Sequence, residues 1–204
     1  MPSPSGPAEL LADLARALAA LHLRWYVFGA QAALIWGRPR LTTDVDATVR
    51  LGPLDASALI DVLREHGFAL RVAATPAFVR QTRVLPMQHD RSGLALDLVL
   101  AGPGLEELFL ERSVAVDVAG VVVPVISAED LIVTKLLAGR AKDIEDVRGV
   151  LAERGGSLRL DQIRTTLTML ETALGQSDLL RLFEHERTRW DTSGRRPALS
   201  PDPA

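Results

Sequence analysis

Asp44 and Asp46 flank a single valine where the chain enters an apolar stretch running from Val45 to Leu51. Along a strand, residues i and i+2 point to the same face, so the two carboxylates project together with Cα atoms roughly 6.5 Å apart. Two acids side by side repel each other, and one or two divalent cations are their natural partners. Fifteen residues before Asp44, Gly29-Ala30 closes the apolar run Trp25 to Phe28 with small residues that let backbone approach a ligand. A third acid, Asp97, interrupts the otherwise apolar run Leu94 to Leu100, where burial without a partner would be costly. Three carboxylates of this kind suit metal-dependent phosphoryl or nucleotidyl transfer. Two hold the ions that bridge a triphosphate, and the third orients or deprotonates the attacking hydroxyl. The bland alternative is a solvated strand end at Asp44 and Asp46 with a salt-bridged Asp97. An isolated Asp-x-Asp favours that alternative; the Gly-Ala turn before it and the acid in a later strand reverse the balance.

These residues need elements to hold them. Leu10, Leu11, Leu14, Leu18 and Leu21 recur at helical spacing after Pro7, which predicts an amphipathic first helix over Ala8 to Leu23. Trp25 to Phe28 reads as a short buried strand, residues 30 to 36 as a helix stopped by Gly37 and Pro39, and Leu54 to His66 as a second surface helix capped by Gly67. Arg83 to His89 and Leu94 to Leu100 are strand-like, joined by the turn Asp90-Arg-Ser-Gly93; Thr75 to Gln81 carries no clear period. After a short helix from Leu105 to Arg112, Val114 to Val118 and Val121 to Val125 form a hairpin around Gly120. Ser127 caps the next helix with Asp130 at its third position, and helices follow to Trp190. From Asp191 the chain is polar and rich in proline, and disorder is expected. Strands first and helices last predict an α+β fold, a small mixed sheet flanked by helices with a helical C-terminal region.

The C-terminal half offers its own polar set, Lys135, Asp143 and Asp146. In one continuous helix the two acids would sit ~80° and ~20° around the axis from the lysine, placing all three on one face. A surface stripe of charge is the plain alternative, and Gly139 can break the phase. Arg38 and Arg40 flank Pro39 ahead of the acidic strand, as phosphate contacts or as solvated loop residues. The histidines His22, His66, His89 and His185 show no ligand spacing, and His89 is expected at the surface.

Composition bounds the rest. With 204 residues, 48% hydrophobic and 24% charged, the chain can bury a core of its own. It has no cysteine, which excludes thiolate nucleophiles and cysteine metal sites. A net charge of −3 gives no global field for nucleic acid, and of 23 basic residues only Lys135 and Lys142 are lysines. The start has neither a charged n-region nor an apolar stretch, and no apolar run is long enough to span a bilayer, so a cytoplasmic protein without membrane contact is expected. Gly-x-x-x-x-Gly-Lys, Gly-x-Ser-x-Gly and His-Glu-x-x-His are absent, against those enzyme classes.

Phe28-Gly29-Ala30, Arg40 to Thr43 with Asp44 and Asp46, Asp97, and the run from Ser127 through Lys135, Arg140, Asp143 and Asp146 to Val147 together resemble the nucleotidyltransferase superfamily. More narrowly, they resemble the bacterial AbiEii/MenT-like, type IV toxin-type nucleotidyltransferases. The resemblance spans residues 25 to about 151. It implies a nucleotidyltransferase core over 1–126, a helical region over 127–190 packed on it, and a disordered tail over 191–204. It implies transfer of a nucleoside monophosphate from an NTP to an acceptor, with release of pyrophosphate and two Mg²⁺ ions as cofactors. Asp44, Asp46 and Asp97 would be the catalytic and metal-binding residues. Gly29, Ala30, Arg40, Thr43, Lys135, Asp143 and Asp146 would bind or brace the nucleotide. Partners would be the NTP, a cognate antitoxin protein, and an acceptor that is tRNA in the toxins and a small molecule or a protein in other relatives. Ala30 departs from the family's usual Ser or Gly, which removes a hydroxyl contact to phosphate but leaves the backbone N–H. A nucleotide- or protein-binding member without turnover is therefore the alternative, and a metal-dependent phosphohydrolase on the same acids is a third.

Overall fold

The computed structural model describes residues 6–39, 41–72 and 76–192. Its elements run α1 (Gly6–Ala20), β1 (Arg24–Phe28), α2 (Gly29–Trp36), β2 (Asp44–Arg50), α3 (Ala56–Glu65), β3 (Phe68–Leu70), α4 (Pro76–Thr82), β4 (Val84–His89), β5 (Ala95–Leu100), α5 (Leu105–Arg112), β6 (Val114–Val118), β7 (Val121–Val125), α6 (Ala128–Ala138), α7 (Ala141–Arg154), α8 (Leu160–Leu174) and α9 (Leu179–Thr192). The ambiguous stretch around Thr75 is α4 over its described part. Asp191 and Thr192, expected in the tail, complete α9, where Arg187 Nη1 donates to Asp191 at 2.6 Å; the rest of the tail lies outside the described residues.

Among the described residues the strands form one mixed sheet in the order β3-β4-β5-β2-β1-β7-β6. Its centre is the unit that matters. β1 runs antiparallel to β2, while β2 runs parallel to β5, so both β2 and β5 begin at the end of the sheet where β1 finishes. β1 also pairs in parallel with β7. Val45, Ala47 and Val49 of β2 and Leu96 and Leu98 of β5 are fully buried, as period-two patterning demands of strands with one face on the core. Leu131 and Val133 of α6, Val147 of α7 and Phe183 of α9 join Val27 and Val45 in a single hydrophobic cluster. The helices after Ser127 thus share the core of the sheet.

Two close contacts fix the end of α2 against the rest of the fold. At Gly37, which ends α2, an added Cβ would stand 3.0 Å from Val150 N and 3.1 Å from Gly149 C of α7. Trp36 donates its indole N–H to Ile126 O at 2.7 Å, tying the end of α2 to the strand leaving the sheet.

His89, expected at the surface, is fully buried. Its Nε2 donates to Asp13 Oδ2 of α1 at 3.0 Å, and its Nδ1 accepts from Ser92 Oγ at 2.7 Å. The tautomer follows from chemistry, since a carboxylate can only accept. Asp13 also accepts from Arg16 and Arg91. Burial pushes its pKa up, but the three donors outweigh burial and hold it at about 2. The folded pKa is thus depressed, and the stability it contributes is full above the ordinary carboxylate range and lost as pH falls towards about 2. Asp13→Asn is expected to cost about 2 kcal/mol near neutrality and little in strong acid, as read by urea unfolding at the two pH values.

Candidate functional site

The register of three strands assembles the acids. Asp46 on β2 is paired with Phe28 on β1 on one side and with Asp97 on β5 on the other; Asp44, two residues earlier, shares its face. Gly29 follows Phe28 directly, so the turn into α2 arrives on top of Asp46. Its φ of +64° is a left-handed conformation that glycine adopts without strain, and a Cβ there would collide with the Asp46 carboxylate, 2.8 Å from its Cγ. Glycine was expected to admit a ligand at this turn; what it admits first is Asp46 itself. The backbone N–H of Ala30 donates to that carboxylate. Burial, then the like charges of Asp44 and Asp97, push the Asp46 pKa up to about 6, against the opposing pull of Ala30 and Lys135.

Asp44 and Asp46 open into a cavity of about 200 Å³. Gly29 and Ala30, at the start of α2, line it on one side, and Lys135, Arg140, Lys142 and Asp143 of the α6–α7 segment on the other. Both of the chain's lysines therefore stand on this cavity. The hard oxygen donors of Asp44 and Asp46, side by side on one strand face, fit a magnesium-like cation. Asp97 sits beside Asp46 but turns to Arg71, whose Nη2 donates to its Oδ1. Among the described residues no three His, Asp or Glu side chains converge closely enough to enclose a metal ion.

Lys135, Asp143 and Asp146 do come together, by a route other than a common helix face. Gly139, at φ +64°, ends α6, and α7 begins at Ala141. The chain turns back, and the buried Lys135 ammonium lies 3.1 Å from Asp143 Oδ1 and 2.7 Å from Asp146 Oδ2. Arg140 adds Nε to Asp143 Oδ2 at 2.5 Å. Burial raises the Asp143 pKa, and the Arg140 and Lys135 donors more than reverse it. This is a paired cluster of two cations and two anions that staples α6 to α7 at the cavity wall. Asp146 faces a neighbouring cleft with Arg38, Pro39 and Gly149.

Thr43 is exposed and does not line the cavity; its neighbour Thr42 holds the acid instead, Oγ1 donating to Asp44 Oδ1 at 2.6 Å. Arg38 is exposed and lies 3.6 Å from Glu153. Arg40 lies outside the described residues. Arg71, Thr42, Thr134 and Lys142 were not picked out from sequence. Only Lys142 carried a signal, the rarity of lysine in an arginine-rich chain.

The family model described as "Nucleotidyltransferase of unknown function (DUF6036)" matches residues 10–169. The chain belongs to this family. The match takes in β1, β2 and β5 with all three acids, and α6 and α7 with the lysine cluster. Solved structures of similar fold include ANT(2'')-Ia in complex with adenylyl-2''-tobramycin, with a TM-score of 0.57 at 14% identity over 83% of this chain and 99% of that one. The solution structure of the same antibiotic-resistance factor gives 0.56 at 14% identity, covering 90% and 97%. An antigenic nucleotidyltransferase-like protein from Paracoccidioides brasiliensis gives 0.52 at 16%, covering 89% and 95%. At such identities the likeness is one of fold, and it matches the mixed α+β architecture described above. No curated protein matches the chain. Among the described residues no helix is long and apolar enough to cross a membrane.

Proposed function

We propose that the protein transfers a nucleoside monophosphate from an NTP to an acceptor and releases pyrophosphate. The observation that carries this reading is the seating of the Gly29 turn on Asp46, with Asp44 on the same face and Asp97 in register beside it. That arrangement places the first N–H groups of α2 and a cluster of acids at one cavity, where a triphosphate and its counter-ions would lie. Asp44 and Asp46 would hold Mg²⁺, and Asp97 would serve the attacking hydroxyl or a second ion. Bound there, Mg²⁺ supplies charge neutralisation to the phosphates. Ala30 lacks the hydroxyl that a Ser would offer there, and its backbone N–H, donated to Asp46 in the ligand-free protein, positions that carboxylate instead. Lys135, paired with Asp143 and Asp146, braces the cavity wall and lends positive potential towards Asp46; Arg140 and Lys142 stand nearer the opening as cations for phosphate.

The narrower AbiEii/MenT-like reading, with tRNA as acceptor and a cognate antitoxin, rests on the sequence resemblance. ANT(2'')-Ia, a fold neighbour, was solved with an adenylylated aminoglycoside, which makes hydroxylated small molecules the other acceptor class to offer. The test is incubation with each α-labelled NTP and Mg²⁺, with total RNA in one arm and a panel of aminoglycosides in the other. Metal-dependent transfer of label to an acceptor, with equimolar pyrophosphate, is the expected result. Free phosphate in place of pyrophosphate would mark a hydrolase, and nucleotide binding with no product in any arm would mark a binding module.

A further inference from the structure

Arg71 follows β3 directly, and its backbone continues the ladder by donating to Pro86 O of β4 at 2.9 Å. Pro86 is paired with Asp97 on β5, Asp97 with Asp46 on β2, and Asp46 with Phe28 on β1. Arg71, Asp97 and Asp46 therefore lie on one line across the sheet, and directly paired residues project to the same face. The guanidinium spans β4: Nε donates to Met87 O at 3.0 Å, and Nη2 donates to Asp97 Oδ1. One end is thus anchored on main chain, and the other caps the acid at the margin of the cluster. The pair is partly open to solvent, with the arginine side chain 34% and the aspartate 41% exposed. An ion pair of that exposure is weak enough to be exchanged for another cation.

We propose that Arg71 is a built-in counter-cation of the acidic site, which occupies Asp97 in the ligand-free protein and competes with divalent metal for that carboxylate. This rests on the reading of Asp44 and Asp46 as metal-binding acids. Without a cation at its edge, the row Asp44, Asp46 and Asp97 would concentrate three negative charges on one sheet face. Arg71 relieves that repulsion in the free state, and the carboxylate becomes available only to a competitor that offers more charge. The guanidinium and a divalent ion draw on the same Asp97 carboxylate charge, so each weakens the hold of the other on that acid.

The test is Mn²⁺ titration of the nucleotide-free protein, followed by the resonance of the free ion, together with thermal melting. Arg71→Gln retains an amide donor for Met87 O while removing the charge, and is expected to tighten Mn²⁺ binding roughly tenfold, the scale of one unit charge lost near a divalent ion. Arg71→Lys should restore the wild-type affinity. In the double variant Arg71→Gln, Asp97→Asn the tightening should disappear. Unchanged or weaker Mn²⁺ binding in Arg71→Gln, with only a lower melting temperature, would make Arg71 a strap between β3 and β5 and overturn the proposal. Asp46→Asn in the same titration separates the two levels: Mn²⁺ binding that survives it defeats the metal reading, whatever Arg71 does.

Discussion

Asp46→Asn is expected to abolish nucleotidyl transfer while making the ligand-free protein more stable. The two effects have one cause. Asp46 is largely enclosed, with Gly29 seated against it and the charges of Asp44 and Asp97 beside it, and its pKa is pushed up to about 6. The sign is fixed by linkage. A carboxyl whose folded pKa exceeds its unfolded value takes up a proton on folding between the two, so stability is fullest below the unfolded value and falls as pH rises through about 6. Above that range the wild-type protein bears the whole penalty, about 2 to 3 kcal/mol for a shift of this size. Asparagine keeps the shape and the acceptor for Ala30 N–H but cannot ionise. The variant should therefore gain about 2 kcal/mol in urea unfolding at mildly alkaline pH, and little in the acid range where Asp46 is already neutral. Transfer should fall by a factor of about 10³ or more, because a metal-holding carboxylate is lost. A destabilised variant, or one that still transfers at near wild-type rate, would show that Asp46 is an ordinary strand residue.

Lys135→Met is expected to be the most destabilising single change at the cavity. Its ammonium is buried between Asp143 and Asp146, which are themselves buried, and the pair bridges two helices that Gly139 has separated. Removing one partner of a buried pair leaves charge without compensation, a loss of about 3 to 5 kcal/mol. Arg140 still reaches Asp143, so part of the charge on that acid stays compensated. Adding Asp146→Asn to Lys135→Met should recover part of the loss, since replacing both members of such a pair is less harmful than breaking it. Chemical denaturation of the two variants makes the measurement. Equal stability in wild type and Lys135→Met would mean that the lysine is not held by these acids in solution.

The local half of this architecture was legible in the amino-acid sequence. Period-two burial marked β2, Gly29 marked the turn before α2, Ser127 marked the start of α6, and the acid in β5 stood out against apolar neighbours. These are short-range signals, each carried by a few adjacent residues. The contacts that finish the site are long-range. Arg71 meets Asp97 only because two strand pairings, β3 with β4 and β4 with β5, bring them to one line, and sequence spacing does not encode pairing order. Gly29 against Asp46 likewise depends on the antiparallel register of β1 and β2. His89 looked like a turn residue and proved buried because α1, remote in sequence, supplies Asp13. Lys135, Asp143 and Asp146 were rightly grouped on a continuous-helix geometry that the break at Gly139 does not permit; what unites them is helix reversal and charge pairing.

In the proposed reaction the cavity between Asp46 and Lys135 takes a nucleotide through metal held by Asp44 and Asp46. Calorimetric titration with an NTP analogue that cannot be cleaved between its α and β phosphates tests it most directly, with Mg²⁺ or with EDTA, on wild type and on the double variant Asp44→Asn, Asp46→Asn. Saturable binding in wild type with Mg²⁺, and its loss both in EDTA and in the folded double variant, is the expected result. Binding of equal strength without metal, or in the double variant, would contradict it.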